Sequence, residues 1–137
     1  MHFRGQARHS GRIPGDVRHL FFETDLAISF ESYALQKPSR EIIQAITDVR
    51  VSMIEYAAFD NAKKQHPKLA ELDLMLTEYY AIWLEDRLFQ FHTLDATGRY
   101  KLLLKNHAQM LQNVPLTFIS SYLGISLETL SRIRAKI

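Results

Sequence analysis

The stretch LETLSRIRAKI, which begins at Leu127, carries side chains that can read the edges of base pairs. Glu128, Ser131 and Arg132 are spaced by three and four residues, which places them on one face of a helix. An arginine can donate two hydrogen bonds to guanine O6 and N7, a glutamate can accept one from cytosine N4, and a serine can bond either kind of edge. The spacing predicts a helix face that enters a major groove. The alternative is a solvated amphipathic helix whose charges have no specific role.

Further residues around this face are predicted to contact DNA. The part of the chain after Leu94 contains six of the 17 Lys and Arg residues but only two of the 15 Asp and Glu residues. This excess of positive charge favours a polyanionic partner. Polar and basic side chains beside the reading face suit phosphate contacts, which fix register without reading sequence; these are Thr117, Tyr122, Arg134 and Lys136. The full predicted DNA-binding set is Thr117, Tyr122, Ser126, Glu128, Thr129, Ser131, Arg132, Arg134 and Lys136.

A helix-turn-helix is the element that must position these side chains. It needs a glycine in its tight turn, because a positive φ is costly for other residues, and Gly124 fits that place. Counting from Gly124, the motif begins at Leu116, and Ser120 takes the position where a small residue is needed. The positions that must face inward are all apolar: Ile119, Leu123, Ile125, Leu130 and Ile133. A preceding helix is predicted from RYKLLLKNHAQML, capped by Asp95 or Thr97.

A long helix is predicted upstream, from Leu69 to His92 within a segment 69–93. It contains no Gly or Pro and is rich in helix formers, and its apolar residues occupy more than one face. A seam with heptad spacing is predicted to pack against a second copy of the chain, made of Leu69, Leu72, Leu76, Tyr79 and Trp83. The aromatic residues of this helix are interpreted as packing residues rather than as a ligand cage.

The first half of the chain predicts a mobile arm followed by a sheet. Residues 1–14 are rich in Arg, Gly and His with almost no apolar pattern, which is typical of an arm. EIIQAITD and VRVSMIEY are rich in β-branched residues and predict strands after a turn at Lys37 and Pro38. Too few strands fit in residues 15–68 for a closed barrel, so the sheet should be incomplete. The expected fold class is α+β.

Several classes of protein are excluded or disfavoured. The chain has no cysteine, which excludes disulfides, zinc-thiolate sites and cysteine nucleophiles. No apolar run reaches the length of a membrane span, so a cytoplasmic protein without membrane contact is expected. Glu85 and Asp86 are interpreted as helix-surface charges, and His66, His92 and His107 lack metal-ligand spacing. We therefore expect no enzymatic activity, no metal and no cofactor.

The segment VPLTFISSYLGISLETLSRIRAKI resembles the C-terminal helix-turn-helix of the cyclic-AMP receptor and fumarate-nitrate regulator (Crp/Fnr) family of bacterial transcription factors. The likeness covers roughly residues 15–137 and is most specific in the last quarter. It implies a cyclic-nucleotide-binding-type β-roll in residues 15–68, a long dimerisation helix in 69–93, and a DNA-binding helix-turn-helix in 95–137. It also implies that Glu128, Ser131 and Arg132 read bases in a homodimer that regulates transcription.

This sequence departs from that family at the β-roll and after the motif. The roll is expected to be short by about half, which suggests a truncated chain or a start placed too late, and a wing after the last helix is expected to be missing. Binders in the family use a Gly-Glu pair and an Arg followed by Ser or Thr, whereas here Glu31 lacks the preceding Gly and Ser39-Arg40 stand in reversed order. Glu31, Ser39 and Arg40 are thus weak ligand candidates, and cyclic-nucleotide binding is not expected. The rival interpretation is a dimerisation or small-molecule sensor module that does not bind DNA.

Overall fold

The computed structural model describes residues 2–5, 16–23, 25–108 and 110–137. Within those residues most of the chain is helical. The elements in chain order are β1 (His2–Gly5), α1 (Phe30–Leu35), β2 (Val49–Ser52), α2 (Tyr56–Gln65), α3 (Pro67–Thr93), α4 (Ala96–Asn106), α5 (Met110–Asn113), α6 (Leu116–Leu123) and α7 (Leu127–Arg134).

The partial β-roll expected in residues 15–68, and with it the α+β fold class, is wrong. The described part of that region forms helices α1 and α2 and the single short strand β2, which pairs antiparallel with β1. Residues 41–48 form no strand, and Ile42 is 80% exposed because no second sheet layer covers it. β-Branched residues favour strands where neighbouring strands pack against them, and that packing is missing here. The fold is a mainly helical one.

The arm predicted for residues 1–14 falls largely outside the described residues. The part that is described, His2–Gly5, pairs with β2 in a register that sets His2 opposite Ser52 and Gly5 opposite Val49. These four described residues form the strand β1.

The core lies in the last third of the chain, around the helix-turn-helix. Gly124 ends α6 with φ 68°, in the left-handed region where glycine avoids the strain of other residues. Each inward position predicted from the sequence is buried or partly buried, and Ile119 and Leu130 are fully enclosed. Ser120, at the predicted small position, is 5% exposed. Residues 116–134 thus form two short helices, α6 and α7, joined by a turn at Gly124.

Helix α4 supplies the support beneath this motif. The Asp95 carboxylate accepts a hydrogen bond from the Gly98 N–H at 2.7 Å, so Asp95 and not Thr97 is the cap. Tyr100 and Leu103 project from α4 into the core. The helix ends at Asn106, so the single helix predicted through RYKLLLKNHAQML is divided into α4 and the short α5.

The long helix α3 starts at Pro67, a favoured first position because proline lacks an N–H that the helix would leave unpaired anyway. No side chain of α3 is buried, although the helix has 27 residues. A segment of residues 16–22 lies between α3 and the helix-turn-helix and contacts both. The Val17 N–H donates to Ser121 Oγ at 2.9 Å, the His19 ring stacks on Trp83 at 4.8 Å, and Leu20 and Phe22 pack against the core.

Protonation of His19 should loosen this segment. Burial among aromatic rings lowers the pKa of His19 from its ordinary value of 6.5; Arg18 and Arg87 lower it further, and Glu41 opposes them. The unfolded chain then binds the proton more tightly than the folded chain, so the free energy of unfolding should fall as the pH drops below the ordinary pKa. We expect the melting temperature to fall from about pH 7 to about pH 5.

The variant His19→Phe keeps an aromatic ring that can stack and removes the titration. It should flatten the dependence of melting temperature on pH, whereas His92→Phe, at an exposed position of α3, should not. An equal slope in His19→Phe and the unsubstituted protein would assign the pH dependence to other groups.

Candidate nucleic-acid interface

Helix α7 is fixed at its start by a side-chain cap. The Ser126 hydroxyl accepts from the Thr129 N–H at 3.1 Å and lies 2.9 Å from Thr129 Oγ1. Such a cap stabilises a helix by about 1 kcal/mol. Ser126 and Thr129 were predicted to contact DNA, and the structure gives them an additional role in holding the first turn of α7.

The predicted reading face of α7 points into solvent. The side chains of Glu128 and Arg132 are 80% and 67% exposed, and Ser131 is also exposed. Arg132 Nη2 lies 3.8 Å from Glu128 Oε1 and 3.5 Å from Thr129 Oγ1, so both contacts are long. Because exposed ion pairs of this kind contribute little, Arg132 can leave them at small cost and donate to a base.

A concave cavity of about 230 Å³ lies beside this face, between α7 and the start of α4. Arg132 and Lys136, four residues apart, provide two cations, and Thr97 and Thr129 provide hydroxyl groups. Cations and hydroxyls together are the donors that bind phosphate oxygens. Thr97 was not predicted as a contact residue, since in the sequence it is distinguished only as a possible helix cap.

The remaining predicted contacts are not all brought to this surface. Arg134 and Lys136 are exposed near the end of α7, and Thr117 is exposed on α6. Tyr122 is instead half-buried, because its ring is covered by the Arg87 guanidinium of α3 at 3.9 Å from the ring centre. Burial raises the pKa of Tyr122 against the opposing effect of Arg87. Its ring is committed to packing with α3.

The weak ligand candidates in the first half form their own contacts. Arg40 Nε and Nη2 both donate to Glu31 Oε2, at 3.0 and 2.5 Å, and Ser39 Oγ bonds Ser29 Oγ and the backbone of Glu41. A groove of about 510 Å³ lies nearby, but it is lined by other residues, among them Ser32, Tyr33 and Lys37. The three candidates do not converge on this groove.

The predicted dimer seam does not form one free face. Leu72, Leu76 and Tyr79 are exposed, whereas Leu69 and Trp83 are half-buried within the chain. Four of the five apolar residues of α3 that are more than 60% exposed lie on a neighbouring heptad seam, spaced by three and four residues, with Asp86 as its polar member. We call this set the α3 stripe: Leu72, Met75, Tyr79, Ile82, Asp86 and Phe89.

Within the described ranges, no helix is both long and apolar enough to cross a membrane, and no group of three or more His, Asp or Glu side chains is arranged to hold a metal ion. Comparisons with protein-family models, with curated proteins and with solved structures found no match. The assignment of a function therefore depends on the geometry described above.

Proposed function

We propose that this chain is a sequence-specific DNA-binding transcriptional regulator of the Crp/Fnr type that reads a major groove with α7 and acts as a homodimer. The observation that carries the proposal is the formed helix-turn-helix with Glu128, Ser131 and Arg132 exposed together on its second helix. A helix presented in this way can enter a groove of B-DNA and place its first turns against base edges. Only α6 and α7 are proposed to act as in the Crp/Fnr family, because the described part of residues 15–68 does not form a β-roll.

The cavity beside α7 supports the proposal with a place for the DNA backbone. Lys136 and the hydroxyl groups of Thr97 and Thr129 line it and suit phosphate oxygens, which leaves Arg132, on the same surface, to reach a base. Binding through such contacts releases counterions, so the affinity should fall steeply as salt is added.

The α3 stripe supports a homodimer. Met75, Tyr79, Ile82 and Phe89 are each more than 60% exposed, which is costly for a single chain in water. Their heptad spacing suits a second helix of the same kind, because residues so spaced interlock as knobs in holes. A second copy of α3 offers that pattern over the full length of the stripe.

The charges next to the stripe favour a parallel pair. Glu71, Glu78 and Glu85 recur every seven residues along one edge, and Leu76 and Trp83 lie along the other. In an antiparallel pair the two glutamate edges would face each other and repel, whereas in a parallel pair each faces the apolar edge of its partner. A parallel pair brings both α7 helices to the same end of the dimer, where they can contact two half-sites about one turn of DNA apart.

Replacing Arg132 with alanine should separate base reading from general attraction to DNA. On a duplex selected from a randomised pool, Arg132→Ala should cost about 1–3 kcal/mol of binding free energy and reduce discrimination at one base pair. Lys136→Ala should weaken the selected duplex and a random duplex alike, because it removes a phosphate contact. Fluorescence anisotropy at several salt concentrations measures both effects.

Arg50→Ala, which removes an exposed arginine of β2, is the matched control and should leave both affinities unchanged. If Arg132→Ala behaves as Arg50→Ala does on both duplexes, α7 does not read DNA. The exposed α3 stripe would then leave a dimerisation module without DNA binding as the better interpretation.

A further inference from the structure

Two half-buried arginines meet at the junction of α3 with the helix-turn-helix. The Arg87 guanidinium lies 4.5 Å from the centre of the Phe91 ring, and the Arg99 guanidinium of α4 lies 4.9 Å from the same centre. Phe91, in the last turns of α3, thus contacts both cations. Cation–π contacts gain strength when the cation is partly removed from water, as both of these are.

Both guanidiniums also donate to carbonyl groups at the end of α6. An Arg87 Nη2 hydrogen donates to the Tyr122 carbonyl, and Arg99 Nε donates to the Leu123 carbonyl at 3.2 Å. The last carbonyls of a helix have no partner within the helix and carry partial negative charge, so a cation there is favourable. The two arginines together complete the C-terminus of α6, immediately before the turn into α7.

The contacts of Arg87 differ from those of a surface ion pair. Its guanidinium covers the Tyr122 ring at 3.9 Å, and among the described residues no carboxylate lies within ion-pair distance of it. Burial and the neighbouring Arg99 lower its pKa, but a guanidinium remains charged in proteins. Its charge is therefore directed at a carbonyl and two rings, which fix its position more closely than a flexible ion pair would.

Gly124 lets the turn between α6 and α7 approach the Phe91 ring closely. A Cβ at this position would lie 3.0 Å from Phe91 Cε1, so the backbone of the turn packs directly on the ring that Arg87 covers. The end of α3, the end of α6 and the turn before α7 consequently share one small cluster, made of Arg87, Phe91, Arg99, Tyr122 and Gly124.

We propose that Arg87 is a positioning residue that sets the angle between the long helix α3 and the helix α7. It acts through the Tyr122 ring and carbonyl, and it contacts no base or phosphate. Its consequence for DNA rests on the proposed function: in a parallel dimer the angle of each α7 to its α3 determines the distance between the two α7 helices, and hence the spacing of half-sites.

The test is a distance measured within one chain. The sequence contains no cysteine, so Thr77→Cys on α3 and Ser131→Cys on α7 give two clean sites for spin labels at exposed positions away from the cluster. Pulsed electron–electron double resonance then measures the distribution of the distance between the two labels, on α3 and α7. The labelled chain is diluted in excess unlabelled chain so that both labels of a measured pair belong to one chain. Arg87→Met should broaden that distribution, because the side chain keeps its apolar stem and loses the donors and the charge.

A second variant and a control separate positioning from stability. Arg87→Lys keeps the charge but lacks the planar guanidinium, so it should also broaden the distance distribution, to a smaller extent. If Arg87→Met does not fold, Arg87→Lys is the variant that tests the proposal. Ile133→Val removes buried volume from the same unit and should lower the melting temperature without changing the distance distribution. An unchanged width in the folded Arg87 variants would overturn the proposal. No DNA enters this measurement, so its outcome is independent of whether α7 reads bases.

Discussion

A chain that carries Met75→Asp and Ile82→Asp should sediment as a monomer at concentrations where the unsubstituted chain forms the proposed dimer. Both residues belong to the α3 stripe and are 63% exposed in the single chain, so the substitutions leave its own packing intact. In the dimer each aspartate would be buried without a partner, at a cost of about 3–5 kcal/mol. Since about 1.4 kcal/mol corresponds to a tenfold change, the dissociation constant should rise at least about 100-fold.

Leu74→Asp with Leu88→Asp is the matched control, because these leucines are similarly exposed but lie outside the α3 stripe. This control should remain a dimer in analytical ultracentrifugation, and circular dichroism should show equal helix content in both double variants. If the stripe variant stays dimeric and the control becomes monomeric, the interface includes Leu74 and Leu88 and not the α3 stripe.

Replacing Leu130 with alanine should destabilise the helix-turn-helix by about 2–5 kcal/mol. Leu130 is 0% exposed and belongs to the core cluster that includes Ile119 and Leu123 of α6, so its removal leaves a cavity and also loses transfer free energy. A loss of this size is a large share of the roughly 5–15 kcal/mol by which a domain is stable. Urea unfolding at fixed protein concentration should show a lower midpoint with an unchanged slope.

Leu127→Ala makes the same chemical change three residues earlier on α7, where the side chain is 43% exposed. It should cost about 1 kcal/mol or less, because less of the side chain leaves water on folding. Equal losses in the two variants would mean that α7 does not pack on α6 through Leu130.

The sequence was most informative where local rules and packing agree. The turn needs a positive φ that Gly124 supplies, and the apolar spacing around it can be met by one arrangement of two short helices, so the inward residues from Ile119 to Ile133 were correctly predicted. The exposure of Glu128, Ser131 and Arg132 followed from the same periodicity. What they bind was not settled by that periodicity and remains a proposal.

Long-range contacts account for what could not be predicted. Ile42 and Ile43 look like strand residues, but a strand needs a neighbour, and the pattern of one segment does not reveal whether a neighbour exists. The half-burial of Trp83 could not be read from its own helix, because His19 stacks on it from a distant part of the chain. Arg87 and Arg99 were overlooked for the same reason, since their carbonyl partners lie more than 20 positions away.

The hydrogen bond between Val17 and Ser121 joins residues 104 positions apart. A ribosome adds about 5–20 residues each second, so the segment around Val17 waits on the order of 5–20 seconds before its partner has been synthesised. Throughout that interval Leu20 and Phe22 have no core to cover, because the core they pack against is made of later residues. The nascent chain therefore offers an apolar segment to chaperones for most of its synthesis, and a chain that stops before Ser121 keeps that segment uncovered for quality-control proteases.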